Sequence, residues 1–280
     1  MLTNYPDHFK MSARISRRLW LKAAVPLIST ASLPDFIPAQ KKPHIRFIVA
    51  SDGHYGEANT PFEKNHKEFV RWINQEKFQK GLDFLILNGD LIHNNPNLLF
   101  DFKNAIKPLQ VPYYVVRGNH DRVGLDVWKS AWGYETNHSF TRSGYAFIMV
   151  DTSNEAGKYV CPDYEWVKQE LAKHAAAKGI FLFMHITPAK WTTHGIDCPE
   201  LMQLFSATEN LKGIFHGHDH DQDSVKTEGG KPYFFDGHFG GSWGTTYKGY
   251  RVVEIQEDGS WTTYQFNASA EPRLNTYTGK

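Results

Sequence analysis

IRFIVASDGH, residues 45–54, is a six-residue run in which only Arg46 is polar, followed at once by Ser51-Asp52-Gly53-His54. The run is too short for a helix and nearly continuous rather than alternating, which is the pattern of a strand covered on both faces. The same construction recurs along the chain. FLILN (84–88) leads into Gly89-Asp90, and YYVV (113–116) into Arg117-Gly118-Asn119-His120-Asp121. IFLFM (180–184) leads into His185, and GIFH (213–216) into Gly217-His218-Asp219-His220. YAFIMV (145–150) is a further run of this kind. Five strands therefore deliver Asp, Asn or His at their carboxyl ends, where open α/β sheets place a ligand crevice. Any one of these pairs is an ordinary turn or helix cap; five in this order are not.

Helical patterns lie between the runs. Phe62 to Gln79 carries Phe69, Val70, Ile73 and Phe78, and Leu98 to Leu109 is similar. Asp163 to Lys178 carries Tyr164, Val167 and Leu171 after Pro162, a good helix start. Strands separated by helices predict a largely parallel, covered sheet. The end of the chain differs. Residues 224–235 turn at Gly229-Gly230, and residues 250–266 at Asp258-Gly259, a strong hairpin signal. These antiparallel hairpins predict a second sheet that closes the domain, giving two packed sheets with helices outside.

The 280 residues suffice for one large α/β domain, and a formal charge of +1 implies no surface for a nucleic-acid polymer. No run reaches the ~18 apolar residues of a membrane span. Fourteen histidines is a high count that needs a cause. Residues 1–40 read as a signal peptide and linker, and 41–280 as the domain. Ser16-Arg17-Arg18-Leu19-Trp20-Leu21-Lys22 and the small residues after it resemble a twin-arginine export signal, so a periplasmic or extracellular location is expected. Cys161 and Cys198 are the only cysteines, and neither sits in a metal-type pair. Export permits a disulfide, but the spacing does not separate it from two buried thiols.

Imidazole, carboxylate and amide oxygen without thiolate suit Mn, Fe, Zn or similar divalent ions. Asp52 and His54, two apart on an extended stretch, project to one side. His218 and His220 are expected to reach two different ions.

The ordered set Asp-x-His, Gly-Asp, Gly-Asn-His-Asp, His, Gly-His-x-His resembles the calcineurin-like metallophosphoesterase superfamily, over residues 45–266. Val150-Asp151-Thr152-Ser153, with the helix bearing Glu165-Trp166, is similar to its cyclic-nucleotide-type phosphodiesterase branch. The resemblance implies an α/β fold, a four-layer αββα sandwich of two mixed sheets with a metal site at the carboxyl ends of the strands. It assigns Asp52, His54 and His220 to one ion, Asn119, His185 and His218 to another, and Asp90 to both. Two such ions lie ~3.5–4 Å apart and lower a bound water towards pKa ~7, so a metal-bound hydroxide is expected to attack phosphorus in line. The resemblance makes His120 the general acid, held by Asp121. The activity implied is hydrolysis of small phosphate esters, diesters ahead of monoesters. A metal- or partner-binding module without turnover is the alternative.

Two departures narrow the branch. His93 stands three residues after Asp90, where purple acid phosphatases have tyrosine, and residues 91–96 read LIHNNP where phosphoprotein phosphatases have Asp-Arg-Gly. Other roles stay open. His93 faces substrate or a polar rim, and Arg117 binds phosphate or supports its loop through an ion pair. Trp191, His194, His238 and the stretch Phe239 to Gly244 wall the pocket or serve turns and packing. His216 reads as core or as support behind a ligand, while His66 and His174 read as solvent-facing.

Overall fold

The computed structural model describes residues 43–268 and 273–279. The signal reading for residues 1–40 lies outside these. The apolar runs form strands where they were expected: β1 (Ile45–Ala50), β2 (Phe84–Asn88), β3 (Tyr113–Val116), β5 (Tyr145–Val150), β6 (Gly179–Met184) and β7 (Leu211–His216). An edge strand, β4 (His138–Arg142), precedes β5. The two terminal hairpins are β8 (Val225–Glu228) with β9 (Lys231–Phe235) and β10 (Gly249–Ile255) with β11 (Trp261–Asn267). A last strand, β12 (Arg273–Gly279), pairs with β11.

The hairpins do not build a sheet of their own, as the sequence suggested. Each extends a different sheet. One sheet runs β12-β11-β10-β1-β2-β3 and the other β4-β5-β6-β7-β9-β8. In the first, β1, β2 and β3 are parallel and β10 is antiparallel to β1. In the second, β5, β6, β7 and β9 are parallel, with β4 and β8 as antiparallel edges. Both sheets are therefore mixed.

Because side chains alternate along a strand, each buried run feeds two cores. Ile45, Phe47 and Val49 of β1 meet Tyr145, Phe147 and Met149 of β5 in a phenylalanine-rich layer between the sheets. Ile48 and Ala50 point outward to helices α1 (Phe62–Lys80), α2 (Leu99–Ile106) and α3 (Leu125–Trp132). Ala146, Ile148 and Val150 point outward to α4 (Tyr164–Lys173) and α5 (Pro199–Ala207). The order of layers is αββα.

Helix α1 corrects two readings. Phe78 is 90 % exposed, because it lies nine positions, about two and a half turns, beyond buried Phe69. The inward stripe takes His66 and Glu76 instead, both buried. His66 is not solvent-facing: its Nδ1–H donates to the Phe62 carbonyl, and its ring is ringed by Tyr55, Phe102 and Phe239. His174 is likewise half-buried against Glu170, 3.1 Å away. Cys161 and Cys198 form a disulfide.

Candidate metal centre

Asp52 and His54 follow β1, Asp90 follows β2 and Asn119 follows β3, all from the first sheet; His185 follows β6, and His218 and His220 follow β7, from the second. The structure brings Asp52, His54, Asp90, His185, His218 and His220 to one place, and buries Asn119 in the turn that the His120 N–H ties to Asp90; each of the seven is at most 7 % exposed. Among the described residues three trios form: Asp52–His54–His220, Asp90–His185–His218 and, sharing His54 with the first, His54–His93–His120. Asp90 Oδ2 reaches from its own trio towards Asp52–His54–His220, at 3.1 Å from His185 Nε2 and 3.6 Å from His54 Nε2. His220 Nε2 is 3.0 Å from both Asp52 Oδ1 and His54 Nε2.

Local backbone sets these directions. Asp52, His54, Asp90 and His218 all have positive φ, between 48° and 68°. Asp52 and His54 are thus left-handed rather than extended. Non-glycine residues hold such conformations where the surroundings over-determine them, commonly at functional sites. Gly89, at φ +93°, passes so close to His185 that a Cβ there would sit 2.3 Å from Nδ1; at Gly118 it would sit 2.1 Å from the Asp90 nitrogen. Only glycine lets the loops close this far.

The donor set fits a pair of cations. Asp90 Oδ2, Asn119 Oδ1, His185 Nε2 and His218 Nε2 are buried without a hydrogen-bond partner, a state that ordinarily costs about 1–3 kcal/mol per group. His185 donates Nδ1–H to the Asn88 carbonyl at 2.8 Å, and His220 donates its own to the Trp243 carbonyl at 3.1 Å. Each bond keeps a proton on Nδ1 and turns Nε2 inward, the nitrogen a ligand would offer. Burial opposes ionisation of Asp52, yet His220 and His185 hold its carboxyl well below the usual range. Asp90 is lowered similarly by His185 and His54 against its burial. Burial pushes His54 and His218 down to about 3, which keeps their rings neutral. Against burial, Asp90 and Asp52 raise His185 to about 10, a measure of how strongly the carboxylates attract positive charge.

His120 sits beside this cluster, its ring 5.0 Å from that of His54. Its backbone N–H donates to Asp90 Oδ1 at 2.8 Å. Asp121 does not hold the imidazole. Both Asp121 oxygens accept backbone N–H groups, from Ile92 at 3.0 Å and Gly118 at 2.7 Å, so the carboxylate shapes the loop. The ring is held by Asn94, whose Oδ1 accepts His120 Nδ1–H at 3.0 Å and whose N–H donates to the His120 carbonyl at 2.8 Å. The sequence signal was the Asn94-Asn95 pair, visible only as a departure from another motif.

His93 packs into the cluster: its Nδ1 is 2.9 Å from His54 Nδ1, and its ring stacks on His120. Arg117 supports its loop, with Nη2 2.5 Å from Asp151 Oδ2 and Nη1 donating to the Val123 carbonyl. Trp243 and His238 both stack with His220, at 4.2 and 5.2 Å. Trp191 packs on Tyr233, and fully buried His216 stacks on the same ring. His194 is exposed at the rim, edge-on to His218. Opposite stands Tyr159, which the sequence did not single out.

Residues 45–222 match the family model described as calcineurin-like phosphoesterase. The chain belongs to that family. It is 26 % identical over 193 residues to a protein of Fibrobacter succinogenes named a probable cyclic nucleotide phosphodiesterase, covering 64 % of this chain and 73 % of the relative. It is 28 % identical over 155 residues to a probable glycerophosphodiester phosphodiesterase of Arcobacter nitrofigilis, covering 49 % of this chain and 56 % of the relative. Among solved structures, a dimetal phosphatase from Danio rerio superposes with a TM-score of 0.65 at 10 % identity, over 84 % of this chain and 98 % of that one. A purple acid phosphatase from yellow lupin gives 0.62 at 15 % identity, over 84 % and 53 %. At such identities the likeness is one of fold. Within the family, the His/Asp cluster marks a metal-dependent phosphoesterase.

Proposed function

We propose that the protein is a dinuclear-metal phosphodiesterase acting on small phosphate diesters. The observation that carries this is Asp90 Oδ2, buried without a hydrogen-bond partner, 3.1 Å from His185 Nε2 in its own trio and 3.6 Å from His54 Nε2 in the neighbouring one. Asp52, His54 and His220 would hold one ion and Asn119, His185 and His218 the other, with Asp90 shared. Two divalent ions bound there would supply Lewis-acid stabilisation of phosphoryl oxygens and acidify water. The chain's own groups do the rest. The Asn94 Oδ1 fixes His120 Nδ1–H, which directs Nε2 away from Asn94, so that the imidazolium would hand its Nε2 proton to the leaving oxygen and return to the neutral Nδ1–H ring. Asp121 and Gly118 keep the Asn119-His120 turn against Asp90.

Preference for diesters is supported by the two relatives, whose names are those of phosphodiesterases. Export to the periplasm or beyond is part of the same reading and rests on Arg17 and Arg18. The test is kinetic. On manganese-reconstituted protein, kcat/KM for bis(p-nitrophenyl) phosphate should exceed that for p-nitrophenyl phosphate by at least about tenfold, roughly 1.4 kcal/mol of transition-state preference. Elemental analysis should find two ions per chain. A single ion in fully active protein, or a preference for the monoester, would reject the reading.

A further inference from the structure

Two loops leave the carboxyl ends of the adjacent parallel strands β5 and β6 and frame one side of the centre. The first returns on itself through a bridge between Ser153 and Tyr159 and a bond from Val160 N–H to the Thr152 carbonyl at 2.9 Å. The second, after His185, is closed by bonds from Ile196 N–H to the Thr187 carbonyl and from Cys198 N–H to the Pro188 carbonyl, both 3.0 Å. Their roots are linked where Ile186 N–H donates to Thr152 Oγ1 at 3.1 Å. Beyond the roots they are joined covalently, by Cys161–Cys198.

Each loop presents one polar ring to the same target. Tyr159, two residues before Cys161, lies edge-on to His218 with ring centroids 4.9 Å apart, and His194, four residues before Cys198, lies edge-on at 5.6 Å. Both rings keep solvent exposure while His218 beneath them is buried. A phenol and an imidazole are hydrogen-bond donors that a phosphate ester oxygen accepts. The bonds that close the two loops run between backbone atoms and use neither ring.

We infer that Tyr159 and His194 form a substrate-gripping rim on the His218 side of the centre, and that the Cys161–Cys198 disulfide is the device that positions it. This rests on the phosphoesterase reading of the centre itself. The disulfide crosses between the two loops rather than within either, so cutting it frees the rings relative to each other while each loop keeps its own closing bonds.

The test uses the manganese-loaded full chain. In Tyr159→Phe/His194→Ala, KM for bis(p-nitrophenyl) phosphate should rise at least about tenfold, since two hydrogen-bond donors to a charged group are lost, with the change falling on KM and not kcat. Cys161→Ala/Cys198→Ala should raise KM in the same direction with both ions retained, and combining all four changes should add little, since the two act through one rim. A disulfide that only stabilises the fold would lower Tm and leave KM alone, which would overturn the positioning role. Loss of an ion from the cysteine variant would overturn it too, because the bond would then be holding His218. If the cysteine variant does not fold, dithiothreitol treatment of the folded wild type replaces it, with the same KM criterion. Should wild type hydrolyse no diester, the proposed function fails separately. Calorimetric titration with inorganic phosphate then still reads the rim: an about tenfold higher Kd in both variants supports it, and an unchanged Kd rejects it.

Discussion

His120 and Asn94 are tied reciprocally, side chain to side chain and main chain to main chain, and Asn94 adopts φ +59°, a conformation asparagine tolerates better than most residues. An amide oxygen accepts but does not donate at that atom, so it keeps a proton on His120 Nδ1 and leaves Nε2 as the nitrogen that takes up and gives away the second proton of the imidazolium. If His120 protonates the leaving oxygen, its value depends on how much that oxygen needs a proton. General acids typically supply about 10²–10⁴-fold. p-Nitrophenolate leaves readily unprotonated and draws on part of this; an alkoxide draws on all of it. His120→Ala is therefore expected to slow alkyl phosphodiesters far more than aryl ones with both ions retained, and Asn94→Ala to give a weaker version of the same split. Equal slowing of both ester classes would reassign His120 to phosphate binding. The seven clustered residues were legible because each closes a buried strand, a signal carried by adjacent sequence. Asn94 and Tyr159 were not, because they act across turns whose direction is set by positive φ and by loops from other strands.

At the scale of elements, the buried strands were legible to the residue: β1, β2, β3 and β5 coincide with the apolar runs because both their faces are covered. β4 was missed for the opposite reason. It is a half-exposed edge, HSFTR, with no apolar run to mark it. The partner sheet of each hairpin was not legible, since local turn chemistry says nothing of which edge a hairpin joins. Helix α1 shows the same limit: its inward stripe includes His66, fully buried among aromatic rings. Burial lowers the His66 pKa from 6.5 to about 4. A base lowered on folding binds fewer protons in the native state, so its contribution is fully present above pH 6.5 and is lost as pH falls from 6.5 through about 4. At 1.36 kcal/mol per unit, that loss reaches about 3 kcal/mol. Urea unfolding of wild type and His66→Gln, at matched metal loading, should show the variant losing less stability between pH 6.5 and 4.5. Parallel pH slopes for the two proteins would mean that His66 is not buried neutral.

For the whole molecule, the centre is where the two sheets meet in chemistry as well as in packing. Asp52, His54, Asp90 and Asn119 come from one sheet and His185, His218 and His220 from the other. Between the sheets the rest of the contact is apolar, dominated by Phe47, Phe84, Phe147, Phe181 and Phe215. At its carboxyl end that apolar layer gives way to Asp52 and Asp90, both fully or almost fully buried, whose charges are met by neighbouring imidazoles and by the backbone N–H groups of His218 and His120. Ions bound there would join the sheets and satisfy donors that the protein itself leaves unpaired. A ligand held at 100–1,000 times its Kd stabilises by about 2.7–4.1 kcal/mol, and each kcal/mol moves Tm by roughly 2–4 °C in a domain of this size. Stripping the loaded protein with EDTA is therefore expected to lower Tm by roughly 5–15 °C, and manganese to restore it. Asp90→Ala, which removes the shared carboxylate, should start lower than wild type in manganese and respond little to EDTA. An EDTA shift that is the same in Asp90→Ala as in wild type would place the stabilising ion elsewhere, and no shift in wild type would mean that the sheets are held by their apolar layer alone.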